Sequence, residues 1–282
     1  MAKNAKRADG RVQVRVFIGH DPSTGKKKYK SFYGRSTAEA KAKADAFQRD
    51  IENGYNPLTA DTSMSEWSDQ WFRTYKISRA YNTQQKYKNS LMHINNYFGH
   101  MRLRDITQTD VQGFANTLDG YSYDHIHAIR TALNQVLEKA IDNGMLLRNP
   151  SRGVDYPSGS RGQHRLLEEY EIDLIRNHWN EYRSGLWFML MMYAGLRRGE
   201  VCALQWNDID WKKKEINIRA SVHFEGNKAK LGATKTPAGV RDIPICLPLY
   251  RALEQHRFLK KNPFICHSAY DQILSKTSFE SC

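Results

Sequence analysis

Two hydrophobic periods that no single kind of element can satisfy divide this chain. From Arg11 to Ile18, the apolar residues Val12, Val14, Val16 and Ile18 alternate with Arg11, Gln13 and Arg15, the period of two that a half-buried strand imposes. From Thr62 to Asn149 the apolar residues instead return every three or four positions. Trp67, Trp71 and Phe72 do so between Met64 and Tyr75, and Tyr87, Leu91, Ile94 and Phe98 between Thr83 and Phe98, which is the spacing of one helix face. A small sheet must therefore precede a helical body. Asp21-Pro22-Ser23-Thr24-Gly25 reads as a turn into a second strand, about Lys28 to Tyr33. Ser36-Thr37-Ala38-Glu39 is a capping box opening a helix that Gly54 closes, with Ala40, Ala44, Phe47 and Ile51 as its inner stripe.

Punctuation residues organise the rest. Thr107-Gln108-Thr109-Asp110 caps a helix running to Leu118, Ser122 opens another that ends near Asn143-Gly144, and Asn149-Pro150 stops helical structure. Ser151 to His164 carries Gly153, Pro157, Gly159 and Gly162 among basic residues and reads as a flexible linker able to lie along phosphates. Beyond Leu166, helices are expected at about Glu168 to Trp179 and Ser184 to Tyr193, and strands at Glu215 to Val222 and Val240 to Ile245. The fold class is α+β, mainly α, with expected domains at 1–58, 62–150 and 166–282 and a linker at 151–165.

Charge narrows the partner. The formal net charge of +13 and pI near 9.5 favour a polyanion, nucleic acid before a membrane surface. Residues 1 to 60 hold eight Lys and five Arg against six acidic residues, about half the total excess. No apolar run approaches the roughly 20 residues of a membrane span, and the lysine-rich start lacks a signal peptide's apolar core, so a cytoplasmic protein is expected. Cys202, Cys246, Cys266 and Cys282 are widely spaced without a zinc pattern and read as reduced, and His125 and His127 point apart on a helix, so neither a metal nor another cofactor is expected. On the first strand Arg11, Gln13 and Arg15 form a face suited to the DNA major groove, where Arg reads guanine and Gln reads adenine. An ordinary solvated sheet face is the alternative. Lys28 and Lys30 on the second strand, and Arg152 and Arg161 in the linker, complete the candidate DNA-binding set.

The run Tyr193-Ala194-Gly195-Leu196-Arg197-Arg198-Gly199-Glu200 follows an apolar stretch and precedes Leu204-Gln205-Trp206. It sets a guanidinium at a helix entry with a carboxylate three residues on, and such a fork grips a phosphate diester through paired N–H bonds. Read locally, a buried helix with a solvated Arg-Arg-Gly-Glu end explains it equally well. Thr234-Lys235-Thr236-Pro237-Ala238-Gly239 lies between the last two expected strands, where a lysine can be carried into a neighbouring active site.

Three matches in order, Ala194 to Glu200, Leu204 to Asp210, and Thr234-Lys235-Thr236 with Val240-Arg241-Asp242-Ile243-Pro244, give the chain its resemblance to the tyrosine recombinases of the phage integrase type. The resemblance implies an arm-site-binding amino-terminal domain, a helical, SAM-like core-binding domain and a mixed α/β catalytic domain. It also implies exchange of duplex DNA strands at attachment sites through a 3′-phosphotyrosyl intermediate, on an oligomer, without metal or nucleotide. Arg197 would hold the scissile phosphate, Lys235 would protonate the leaving 5′-oxygen, and Glu200 would support Arg197.

The family's His-x-x-Arg segment and nucleophilic tyrosine are expected after the lysine. Downstream, His256 and His267 are followed at three residues by Leu259 and Tyr270, and Tyr250 and Tyr270 are the only tyrosines; neither is read as the nucleophile. His127-Ala128-Ile129-Arg130 spells the pattern in the wrong place. The chain is thus expected to stop within its catalytic domain, with 268–282 a polar tail and Trp187, Phe188, Met189 and Met191 short of partners. The alternative function is an inactive DNA-binding protein that occupies attachment sites and modulates a full-length recombinase.

Overall fold

The computed structural model describes residues 10–21, 24–59, 61–162, 165–234, 236–257, 262–268 and 273–281. The chain divides into two compact units, 1–163 and 164–282.

In the first unit, β1 (Val12–His20) and β2 (Lys27–Gly34) form an antiparallel hairpin, with Gln13 opposite Tyr33 and Arg15 opposite Ser31. Helix α1 (Thr37–Glu52) covers one face, where Val16, Ala44 and Phe47 are buried with Val14, Ile18 and Phe32 packed around them. Half of the expected box forms at its start: Ser36 accepts from the Glu39 N–H at 3.1 Å, but the Glu39 carboxylate accepts from the Arg35 N–H at 2.8 Å, one residue before the cap. The alternation of β1 thus gives one buried face and one face carrying Gln13 and Arg15.

Four helices make the larger core: α2 (Met64–Tyr75), α3 (Tyr81–Phe98), α4 (Gln108–Asn116) and α5 (Tyr123–Asp142). Capping boxes at Ser63/Glu66 and Thr107/Asp110 start α2 and α4. Their periodic apolar residues meet in one cluster with Trp67, Trp71, Ile94, Phe98, Phe114, Ile129 and Leu133 at its centre. The Trp67 indole N–H donates to the Val136 carbonyl at 3.0 Å, so the one polar atom of that side chain is satisfied where it is buried.

The basic segment after Pro150 is a strap, which corrects the expectation of a flexible linker. Gln112 brackets Asp155, donating to its carbonyl at 2.8 Å and accepting from its N–H at 3.0 Å. Val154 is buried, the Tyr123 N–H donates to the Ser160 carbonyl at 2.9 Å, and the Arg161 guanidinium lies 4.0 Å over the Tyr123 ring. Glycine content does not by itself make a segment mobile, and here backbone groups of Ser151, Arg152, Asp155 and Ser160 are held.

In the second unit α6 (Glu169–His178) precedes α7 (Gly185–Ala194) and α8 (Arg198–Ala203). A three-stranded antiparallel sheet joins β3 (Ile209–Asp210), β4 (Glu215–Ile218) and β7 (Arg241–Pro244), and a separate hairpin joins β5 (Ala220–Glu225) to β6 (Lys228–Ala233). The single strand expected over Glu215 to Val222 is therefore two, parted at Arg219, and β6 was not expected because its lysine-rich, mostly exposed sequence has no buried face to read. Helices α9 (Leu247–Arg257) and α10 (Lys276–Glu280) follow.

The region read as a polar tail also carries structure. Leu274 is fully buried, the Ser275 side chain caps α10 through the Ser278 N–H, and Asn227 at the β5–β6 turn accepts from both the N–H and the hydroxyl of Thr277. The Phe279 ring stacks on Trp187 at 5.7 Å. Trp187 and Met189 are consequently buried, contrary to expectation, whereas Phe188 remains 44% exposed.

The strap gives a test of this packing. Gly159 has φ +64°, and a Cβ there would lie 2.5 Å from the Tyr123 nitrogen. Gly159→Ala should cost about 1–3 kcal/mol locally and so raise tryptic cleavage at Arg161 roughly tenfold or more. Unchanged cleavage kinetics would mean that the strap is not held at this point.

Candidate active site

The site is built where α7 turns into α8. Gly195 ends α7 with φ 60° and ψ 29°, the left-handed conformation that glycine adopts without penalty. Leu196 is buried beside it, and Arg197 occupies the N-cap of α8 with extended backbone. At Gly199 a Cβ would stand 2.5 Å from both the Val222 carbonyl and the Ser221 hydroxyl. The glycine lets α8 lie directly on the backbone of β5.

Glu200 is 3% exposed and accepts four hydrogen bonds. Oε1 accepts from Arg197 Nη1 at 2.9 Å and Arg241 Nη1 at 3.0 Å; Oε2 accepts from the Arg197 backbone N–H at 3.0 Å and Arg241 Nη2 at 2.9 Å. The two oxygens offer about four lone-pair sites, so the carboxylate is saturated. Burial pushes its pKa up, but hydrogen bonds from Arg241 and then Arg197 outweigh that and hold it at about 2. The same contact raises the pKa of Arg241.

Arg197 is held differently. Its guanidinium uses one N–H on Glu200 while its side chain is 76% exposed, leaving most of a planar fork of donors turned to solvent. The neighbouring Arg198 does the opposite work: it bonds Glu280 at 3.1 Å and lies 5.2 Å over Phe224. Of the two adjacent arginines, Arg197 is the more open to solvent. Arg241, six residues beyond Lys235, was missed as a site residue because nothing in Val240-Arg241-Asp242 shows which charge will reach the α8 carboxylate. Lys235 lies outside the described residues. Beside it, β6 ends at Ala233, and the Thr234 hydroxyl donates to the Thr236 carbonyl at 3.0 Å.

The other candidates separate into groups. Gln13 donates to Ser31 Oγ at 2.7 Å and Tyr33 Oη at 3.4 Å on the hairpin face away from α1; Arg15 is exposed on that face, and Arg11 is exposed just before β1. Lys30, opposite Val16, turns toward the helix side, with its ammonium 4.3 Å from the Phe47 ring, and Lys28 pairs with Asp21 at 2.8 Å. These two lysines therefore do not extend the Gln13–Arg15 face. Lys30 instead meets Arg152, with Arg104, Arg148 and Asp50, around a cleft of about 680 Å³, where Arg152 also bonds Glu138 at 3.0 Å. Arg161 is stacked in the strap. Tyr250 on α9 packs edge-on against Trp211, which follows β3, and His127 and Arg130 contact Tyr123 and Tyr156, so the stray His-x-x-Arg run has a packing role.

At a helix entry of a mixed α/β unit, a buried carboxylate with its lone pairs filled thus holds one arginine whose guanidinium is otherwise open. Residues 63–118 match the family described as phage integrase, N-terminal SAM-like domain, and residues 165–255 match the phage integrase family. The chain is 30% identical to a tyrosine recombinase XerC-like protein of Caldanaerobacter subterraneus subsp. tengcongensis, over 87% of this chain and 68% of that one. It is 25% identical to the ICEBs1 integrase of Bacillus subtilis, over 92% and 72%. Its fold is similar to that of the Tn1549 transposon integrase in complex with a circular intermediate DNA (TM-score 0.68, 16% identity, 77% of this chain and 75% of that one). It is similar also to a lambda integrase tetramer bound to a Holliday junction (0.62, 19%, 99% and 81%). The chain belongs to the phage integrase family of tyrosine recombinases, the proteins of site-specific DNA recombination.

The Glu200 contact has a defined pH signature. Its folded pKa of about 2 lies below the ordinary 4.5, so the stabilisation is complete above about pH 4.5 and disappears as pH falls toward 2. The shift corresponds to about 3 kcal/mol. Glu200→Gln should lower stability in urea by about that amount at pH 7, and the gap to the unsubstituted protein should close on acidification. A gap independent of pH would show that the charge on Glu200 is not what holds Arg197 and Arg241.

Proposed function

We propose that this chain binds duplex DNA at attachment sites as an oligomer and takes part in cutting and rejoining it, with Arg197 gripping the scissile phosphate. The observation that carries the reading is the posture of Arg197: fixed by a backbone N–H and one guanidinium N–H on a saturated carboxylate, and open elsewhere. A phosphodiester passing to its pentacoordinate transition state gains negative charge on its non-bridging oxygens. Donors already aimed at that charge stabilise it without reorganising. Glu200 is a positioning residue in this scheme, because its oxygens are filled by arginines and none is left for DNA. Lys235 would protonate the 5′-oxygen as it leaves.

The first unit supplies recognition. Gln13 and Arg15 would meet base edges, while Arg104, Arg148 and Arg152 at the cleft would contact phosphates. Family membership and the net charge of +13 support duplex DNA as the partner. Among the described residues no helix is long and apolar enough to cross a membrane, and a DNA substrate fits the cytoplasmic location expected above.

Binding to an attachment-site duplex should weaken linearly in log Kd against log salt, with a slope of about 0.9 per phosphate contact. Arg15→Ala should cost about 1–3 kcal/mol and relax base preference. Arg197→Ala should leave binding within a few-fold and abolish any support of phosphate chemistry. A gel-shift series without duplex binding at low salt would overturn the reading.

A further inference from the structure

One cluster in the helical block has no part in the chemistry above. His93 on α3 and His125 in the first turn of α5 bring their Nε2 atoms to 3.2 Å. Their ring centroids are 5.0 Å apart and the ring planes nearly perpendicular, at 81°. Tyr121 stacks on His125 at 5.0 Å and meets His93 edge-on at 5.5 Å. Both imidazoles are partly exposed.

The two distances together constrain how the rings face each other. Imidazoles meeting end to end with nitrogens 3.2 Å apart would hold their centroids about 5.5 Å apart, so at 5.0 Å the rings are bent from that line. Two nitrogens each about 2.0–2.1 Å from one tetrahedral cation lie about 3.2–3.4 Å apart, with ring centroids about 5 Å apart. The observed pair matches both values.

We propose that His93 and His125 are a two-histidine chelate for one borderline transition-metal dication of the zinc or nickel type, clamping α3 to the start of α5. Imidazole nitrogen selects such cations over magnesium or calcium, which require oxygen ligands. The described residues contain no group of three or more His, Cys, Asp or Glu that would hold a metal, so water completes the coordination from the exposed side. That makes the site one of modest affinity. Burial and the neighbouring His125 lower the pKa of His93, which favours the neutral ring that a metal needs. The sequence could not show the pair: the partner of His125 is 32 positions away on another helix, not its neighbour His127.

Titration of the metal-free chain of 282 residues with zinc chloride tests this. One equivalent should bind with a Kd on the order of micromolar, and zinc at ten times that Kd should raise Tm by about 3–6 °C. His93→Gln and His125→Gln should each weaken binding at least tenfold, while His100→Gln, an exposed histidine outside the pair, should not. Ring 15N signals of the unsubstituted chain supply a readout independent of whether the variants fold: His93 and His125 should shift together at one equivalent. Absence of zinc binding at 100 µM, undiminished binding in both variants, or shifts confined to other histidines would overturn the proposal and leave the pair as an aromatic and hydrogen-bonded contact.

Discussion

The Glu200 carboxylate is the constraint on which the site depends. A carboxylate removed from water is costly unless every lone pair finds a donor, and here one of the two donor residues, Arg241, is 41 positions from Glu200 along the chain. The helix bearing Glu200 and the strand bearing Arg241 must therefore meet, and the turn containing Lys235 is the chain that connects β6 to that strand. The Cβ-less Gly199 settles the other side of α8 by admitting the β5 backbone at a distance no other residue would permit. Arg197 inherits its direction from these contacts: its own N–H completes the carboxylate, and its guanidinium is tethered by one edge.

Adjacent arginines with opposite environments follow from the same geometry. Successive residues at a helix start point about 100° apart, so once Arg197 faces outward beside Glu200, Arg198 is turned toward the β5–β6 hairpin and α10. There its cation lies over Phe224 and Phe279 and pairs with Glu280. This contact, with Phe279 on Trp187 and Asn227 at the start of α10, makes the segment around Leu274 part of the second core. The apolar α7 thus has partners that the polar composition of 268–282 concealed.

What could be read from the sequence follows how local its cause is. The helix α2 runs from Met64 to Tyr75 as its apolar spacing and Ser63/Glu66 cap dictate, and α5 begins after Ser122 and ends before Asn143-Gly144 as its punctuation requires. Arg197 and Glu200 stood out because a cap-like spacing is also local. Arg241 did not, since its fork finds Glu200 only through the pairing of β4 with β7. The strap failed as a prediction for the same reason: Gly159 and Ser160 look mobile until the Tyr123 N–H is seen to donate to the Ser160 carbonyl. Strand β6 was hidden because an exposed hairpin edge carries no alternation. Apart from β6, each of these misses lies where a long-range contact overrides composition.

The charge of the first sixty residues shows the same distinction at the level of function. Taken as a sum, it suggests one basic surface; taken residue by residue, Lys30 sits over Phe47 and Lys28 against Asp21, both away from the Gln13–Arg15 face. That face is instead polar and aromatic, with Ser31 and Tyr33 orienting Gln13 and with Phe17 and Tyr29 exposed. Phosphate contacts give affinity and register, whereas groups directed at base edges discriminate sequence. On the proposed function the hairpin is accordingly the reader, because its oriented amide, single arginine and flat rings suit base edges better than phosphates. The holding of the duplex then falls to the cleft formed by Lys30, Arg104, Arg148 and Arg152. Lys30 lines that cleft because its side chain is on the helix side of the hairpin, over Phe47.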